Sequence, residues 1–159
     1  LQDRKKSKEI FIKRVCKVSE IARQYDVNLM IENNVLSKNN LDNFEDNPFL
    51  MCDETECDEI IKNTPNNVKL LVDVAHLKVS ANSLKFNKEN FLNHCNEFTG
   101  GYHLSDNNGL SDTNQKFDDN AWFWDYIKKD KNYYSIEVYN ASNEEIKSLY
   151  DLTKKKLNK

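Results

Sequence analysis

The stretch VNLMIENN, residues 27–34, decides the fold. A short apolar run gives way there to one carboxylate, Glu32, and then to two amides. This pattern is typical of a strand that is covered on both faces and emerges from a parallel sheet at its carboxyl end. We therefore predict a parallel strand over this stretch, with Glu32 at the mouth of the sheet.

The same pattern recurs three more times along the chain. Further strands are predicted where the sequence reads VKLLVDVAH, GGYHLSDN and YYSIEVYN, over residues 68–76, 100–107 and 133–140. Helical spacing of apolar residues predicts helices over residues 7–26, 53–63, 87–98, 119–129 and 142–157. Regular alternation of strand and helix predicts an α/β fold with a parallel sheet built from right-handed crossovers.

The predicted organisation is a single domain over residues 1–159. Residues 1–25 form a leading helix and residues 26–159 form four β/α units. With 38% hydrophobic and 11% aromatic residues, the 159-residue chain can bury a core of its own. No stretch rich in glycine, proline or serine divides it into parts.

Net charge and cysteine content limit the kinds of function and location that fit this sequence. A formal charge of -3 argues against nucleic acid as a partner, because lysine and arginine drive such binding. No apolar run approaches the roughly 20 residues of a membrane span. The four cysteines match neither a zinc knuckle nor a CxxC motif, which indicates reduced thiols and a cytoplasmic protein: Cys16, Cys52, Cys57 and Cys95.

Each predicted strand ends in one strong candidate for a metal ligand. In chain order these candidates are Glu32, Asp73, His103 and Glu137. Their spacings of 41, 30 and 34 positions each correspond to about one strand and one helix, so all four reach the same rim of the sheet. A single carboxylate at a strand end is usually a cap or a solvated loop residue. Four successive units are harder to explain that way, since a buried charge needs a partner and a shared metal supplies one.

The donor set also indicates which metal would bind. Three carboxylates and one imidazole form an oxygen-rich site, and such sites favour the harder cations. We expect Mn²⁺, Mg²⁺ or Co²⁺, with Zn²⁺ as a further option.

The residues around these ligands carry a resemblance to a known family. The motifs LMIENN, LLVDVAHL, YHLSDNNG and SIEVYN resemble the second half of the xylose isomerase-like TIM barrels, which include sugar isomerases, sugar epimerases and metal-dependent abasic-site endonucleases. The family's ordered ligand set of Glu, Asp, His and Glu matches the four candidates above. The resemblance implies a (β/α) TIM-barrel type of fold, of which this chain supplies the four strand-helix units of the C-terminal half.

The resemblance also implies a chemistry, a metal-dependent sugar isomerase or epimerase reaction. A divalent ion would grip the carbonyl and the neighbouring hydroxyl of a sugar and stabilise the enediolate. Glu32 and Glu137 would act as the general base and acid. His76 and Asp106 are the candidate substrate-binding residues; because of strand parity, each reaches the site only where its strand has already ended, and Asp106 could instead stabilise a turn.

Two departures from the family keep alternatives open. Where the endonucleases carry an Asp-x-His pair for an additional zinc, this chain has Asp112 and Asn114, which favours sugar chemistry over phosphodiester cleavage. The alternatives are an abasic-site endonuclease-like hydrolase and a non-catalytic half-barrel that serves as a binding or assembly module. Because four strands cannot close the usual barrel, we also expect a homo-oligomer or a complementing N-terminal half-barrel as a partner.

Overall fold

A computed structural model describes residues 3–158 of the chain. The elements follow one another in the order α1 (Arg4–Gln24), β1 (Leu29–Glu32), α2 (Lys38–Phe44), α3 (Glu54–Lys62), β2 (Val68–Asp73), α4 (Val74–Leu84), α5 (Lys88–Cys95), β3 (Thr99–Leu104), β4 (Tyr133–Ile136) and α6 (Asn143–Leu157).

The four strands form one sheet in which every neighbouring pair is parallel. The strand order is β1-β2-β3-β4, so β1 and β4 are the edges. The predicted α/β class with a parallel sheet is therefore confirmed. All four strands point their carboxyl ends in the same direction, which brings the residues that follow them to one rim.

The two faces of the sheet differ in burial. Side chains alternate between the faces of a strand. On one face the helices cover the sheet, and the buried side chains there are Val68, Leu70, Val72, Tyr102 and Leu104. On the other face Met30 and Leu71 are half-buried, while Tyr133 is exposed. We refer to this second face as the inner face, because it would line the interior of a barrel.

The helix predicted over residues 119–129 is wrong. The chain makes a succession of turns there, with hydrogen bonds such as Trp124 N to Ala121 O at 3.2 Å. Aromatic packing fixes these turns, because Phe123 and Trp124 are both buried and the rings of Phe117 and Trp124 meet edge to face. The indole of Trp124 also donates to the carbonyl of Asp118 at 2.8 Å.

Two helices were not predicted. α2 lies between β1 and α3, and α4 begins at Val74, inside the stretch predicted as a strand. The side chain of Asp73 ends that strand by accepting from the backbone N–H of His76, which is the hydrogen bond of a helix N-cap. In residues 3–158, no helix combines the length and apolar character that crossing a membrane requires.

An ion pair between the partly exposed Arg4 and the buried Glu56 connects α1 to the rest of the domain. Arg4 donates from Nε and Nη2 to the two carboxylate oxygens of Glu56, at 2.9 and 2.8 Å, and the same guanidinium reaches the carbonyls of Asn47 and Phe49. Glu56 is 5% exposed, and its carboxylate also accepts from the backbone N–H of Met51. The guanidinium thus joins α1, α3 and the loop before α3.

Replacing Arg4 tests this fastening. Arg4→Ala leaves the Glu56 carboxylate buried with one backbone donor, so we expect the free energy of unfolding to fall by about 2–3 kcal/mol. The control is Lys8→Ala, which removes a partly exposed pair with Glu59 and should cost under about 1 kcal/mol. Urea unfolding followed by circular dichroism measures both; equal losses would contradict a special role for Arg4.

Candidate metal centre

Four side chains from the four strands meet at the rim of the sheet. Glu32 is the last residue of β1, Asp73 ends β2, His103 lies in β3 and Glu137 directly follows β4. One donor atom from each residue lies within 4.8 Å of the others. The four residues that the sequence selected thus form a cluster that could hold a metal ion.

The imidazole of His103 is the centre of the cluster. Its Nδ1 lies 2.8 Å from Glu32 Oε1, 2.7 Å from Glu137 Oε2 and 3.9 Å from Asp73 Oδ2. A single ring N–H can point at only one of these oxygens. Hydrogen bonding within the cluster therefore cannot satisfy all three carboxylates.

The donor atoms fit a cation because they lack other partners. Glu32 Oε1, Asp73 Oδ2 and His103 Nδ1 are buried, and none of the three makes a well-aligned hydrogen bond in the described chain. Buried polar atoms of this kind are rare in proteins and call for an explanation such as an ion. Three carboxylate oxygens and one imidazole nitrogen suit a divalent cation.

Burial and contact shift the proton affinities in the cluster. Burial raises the pKa of Asp73 to about 6, against attraction from His76 that lowers it. The contact with His103 lowers the pKa of Glu32 despite burial. The contact with Glu32 raises the pKa of His103, although burial opposes the rise. Protons and a cation would compete for the same atoms, since metal ligands must be deprotonated.

Asn33 holds the ends of β1 and β2 together behind the cluster. It is 2% exposed, its Oδ1 accepts from the backbone N–H of Asp73 at 2.8 Å, and its Nδ2 donates to the carbonyl of Asp73 at 3.2 Å. Two bonds to one residue fix the separation between Glu32 and Asp73 along the rim. The sequence signal for this role is an amide immediately after the first ligand.

His76 lies in the first turn of α4. Strand parity allowed its side chain to reach the site only if β2 ended before it, and β2 does end at Asp73. The backbone N–H of His76 donates to Asp73 Oδ1, its Nδ1 lies 3.0 Å from the carbonyl of Asn33, and its Nε2 lies 3.2 Å from Asp112 Oδ2. The carbonyl can only accept, so Nδ1 carries a proton. Burial lowers the pKa of His76, but Asp73, the Asn33 carbonyl and Asp112 together raise it above the usual value. The structure thus places His76 beside the cluster, with Asp112 as its partner.

Asp106 lies farther along the loop that follows β3. Its Oδ1 accepts from Lys78 Nζ at 2.6 Å and from the backbone N–H of Asn107 at 2.8 Å, and its backbone pairs with Gln115. These contacts fix the base of the loop that carries Asp112. The sequence did not identify Lys78 as the partner of Asp106. The only indication is that Lys78 lies about one helical turn into α4, and α4 itself was not predicted. A contact of Asp106 with substrate stays a prediction.

Comparison with known proteins identifies no relative of this chain, so its function has to be inferred from the geometry of the cluster. No protein-family model matches the chain, and neither a curated protein nor a solved structure does. What the arrangement can do chemically follows from its donors: it can bind a divalent cation, and two of its carboxylates, Glu32 and Glu137, stay about one-third exposed beside it.

Asp73→Asn separates stability from metal binding. The folded pKa of about 6 lies above the unfolded value of 3.8, so between these values the folded state binds more protons, and stability falls as pH rises. Asparagine keeps the N-cap acceptor but carries no charge. In metal-free protein we expect Asp73→Asn to raise the free energy of unfolding by about 1–3 kcal/mol at pH 8 and by almost nothing at pH 4.

Urea unfolding at the two pH values measures this effect, and Mn²⁺ titration of the same variant should show that binding is lost. Asp118→Asn, a change at an exposed carboxylate outside the cluster, is the control. A variant that is less stable than the parent at pH 8 would contradict the cost assigned to the buried charge.

Proposed function

We propose that this chain is the metal-binding half of a TIM-barrel type enzyme that isomerises or epimerises a sugar. The observation that supports the proposal best is the convergence of four donors, one from each strand, within 4.8 Å at the carboxyl rim of a parallel sheet. This rim is where the reactions of such barrels take place. The ordered resemblance in the sequence motifs points to sugar chemistry.

The proposed cofactor is Mn²⁺, Mg²⁺ or Co²⁺, with Zn²⁺ as a further option, held by Glu32, Asp73, His103 and Glu137. The ion would supply Lewis acidity that polarises the carbonyl of a bound sugar and so acidifies the adjacent C–H group. The residues divide into two kinds by exposure. The side chain of Asp73 is 0% exposed, whereas those of Glu32 and Glu137 are 35% and 36% exposed.

This difference supports a division of labour. Asp73 and His103 serve to hold the cation, because Asp73 is out of reach of a ligand and His103 is surrounded by carboxylates. Glu32 and Glu137 approach His103 from the two edge strands and remain open to solvent on the inner face. They are therefore the pair we assign to removing a proton from carbon and returning it.

His76 and Asp106 are the proposed substrate contacts. His76 is the better supported of the two, since its ring lies beside the cluster and is held at both nitrogens. Nδ1–H is used by the carbonyl of Asn33, so Nε2–H would donate to a sugar oxygen only by leaving Asp112. Asp106 could contact substrate only through the oxygen that Lys78 does not occupy.

The same geometry gives less support to a nucleic-acid hydrolase. In the segment that matches the family's second metal pair, Asp112 faces His76, and Asn114 is 1% exposed with an amide oxygen that lacks a hydrogen-bond partner. An amide oxygen is a weaker ligand for zinc than an imidazole. The acidic charge of the chain also argues against a phosphate backbone as partner.

The proposal includes a complementing half-barrel, from the same or another polypeptide. Both edge strands are open, the inner face is half-exposed, and a groove of about 650 Å³ lies between β4 and α6. If the chain sediments as a monomer at high concentration and does not bind apolar dyes, no second half-barrel is needed.

We also propose a cytoplasmic location. All four cysteines lack a disulfide partner, as expected in a reducing compartment.

Proton exchange tests the proposed reaction. With Mn²⁺ present and a ketose such as D-fructose in deuterated water, we expect the C–H beside the carbonyl to exchange, as observed by NMR. Glu32→Gln and Glu137→Gln should each slow the exchange by at least about 100-fold, the usual contribution of a general acid or base. The control Glu144→Gln, an exposed acid on α6, should leave the rate unchanged.

Mn²⁺ affinity measured on the same variants distinguishes lost chemistry from lost metal. A protein that binds Mn²⁺ at the cluster, exchanges no sugar proton and nicks abasic duplex DNA would be a hydrolase instead.

A further inference from the structure

On the inner face, the next layer of side chains below the cluster borders a cavity. Because side chains two positions apart share a face, the residues two before each ligand form this layer: Met30, Leu71, Gly101 and Ser135. In closed barrels such layers are filled mainly by bulky branched side chains. Here two of the four positions hold glycine and serine, so this layer carries less side-chain volume.

The glycine pair before His103 allows the neighbouring strands to approach closely. A Cβ on Gly101 would lie 2.7 Å from the carbonyl oxygen of Tyr133, and a Cβ on Gly100 would lie 3.0 Å from Met30 Sδ. The register between β2 and β3 also shifts at Leu70 and Leu71. A larger residue at Gly101 would press on the backbone of β4. A larger residue at Gly100 would press on Lys69 Cβ, 2.8 Å away, and on Met30.

A cavity on this face extends from His103 to Tyr133. Its volume is about 330 Å³, and its lining includes His103 above, Met30 and Leu71 on one side, and Tyr133 and Ser135 on the other. Tyr133 is 55% exposed although it lies on the inner face. The cavity falls at the lower end of the size range of small-molecule sites, and its mostly apolar lining with a few polar groups is typical of them.

We propose that this cavity is a subsite for the end of a small polyhydroxylated ligand that the cation does not hold. The inference rests on the proposed function, in which a cation held by the cluster would bind the carbonyl end of the ligand. The remaining carbons extend downward past His103. Their C–H groups pack on the ring of Tyr133, as apolar groups pack on aromatic faces, and the hydroxyl of Ser135 meets one of their hydroxyls.

Two ligands of different length test the subsite. Hydroxyacetone carries the carbonyl, the adjacent hydroxyl and a methyl group, whereas D-fructose replaces the methyl group with four hydroxylated carbons. Affinities for Mn²⁺-loaded protein can be measured from water proton relaxation. We expect D-fructose to bind about threefold to tenfold more tightly than hydroxyacetone, which is the order of magnitude of one aromatic contact. Tyr133→Ala should remove most of that advantage and leave the affinities for hydroxyacetone and Mn²⁺ unchanged.

Two variants serve as controls. Tyr139→Ala removes an equally exposed tyrosine, 57% against 55%, from outside the cavity, and it should preserve the advantage of D-fructose. Tyr133→Phe keeps the ring and should also preserve it.

Each other outcome overturns a defined statement. Equal affinities for the two ligands, or a Tyr133→Ala variant that keeps the advantage or weakens both ligands alike, overturns the subsite alone. Failure to bind Mn²⁺ or hydroxyacetone overturns the proposed function as well.

Discussion

Repulsion among three carboxylates at one rim is the constraint on which the rest of this structure depends. Glu32, Asp73 and Glu137 approach the same ring nitrogen of His103, two of them within hydrogen-bond distance. One imidazole cannot neutralise three negative charges, even when protonated. A divalent cation would offset two of the three charges. Protons can also offset charge there, since burial raises the pKa of Asp73 and the contact with Glu32 raises the pKa of His103.

The surrounding structure holds these charges in place through backbone contacts. Asn33 fixes β1 to β2 through two hydrogen bonds to Asp73, and the ladder between β3 and β4 continues as Glu137 N–H donates to the carbonyl of Leu104. The helix-covered face supplies the hydrophobic free energy, because its valine, leucine and tyrosine side chains are buried while the inner face stays half-exposed. Packing on one face thus provides the stability that the charges on the other face reduce.

The sequence predicted the parts of this arrangement that depend on periodicity and order. The strand cores and the helices α1, α3, α5 and α6 have repeating apolar patterns, and the four ligand candidates follow from where those patterns stop. The turns over residues 119–129 were predicted as a helix, because Phe123 and Ile127 are four positions apart, which is the spacing of one helix face. Their actual conformation depends on distant ring contacts, which one local stretch does not encode. The loop contacts of Asp106 and Asp112 were likewise hidden, since each partner lies on α4.

The end of β2 shows why a strand prediction failed where the chemistry is concentrated. The apolar run continues through Val74 and Ala75, so periodicity extends the strand to His76. The two oxygens of Asp73 have different tasks: Oδ1 accepts from the N–H of His76 and starts α4, while Oδ2 faces the cluster without a hydrogen-bond partner. One side chain therefore ends the strand, starts α4 and keeps its second oxygen at the cluster. Because starting the helix fixes the carboxylate, the fold itself orients Oδ2 toward the other three side chains.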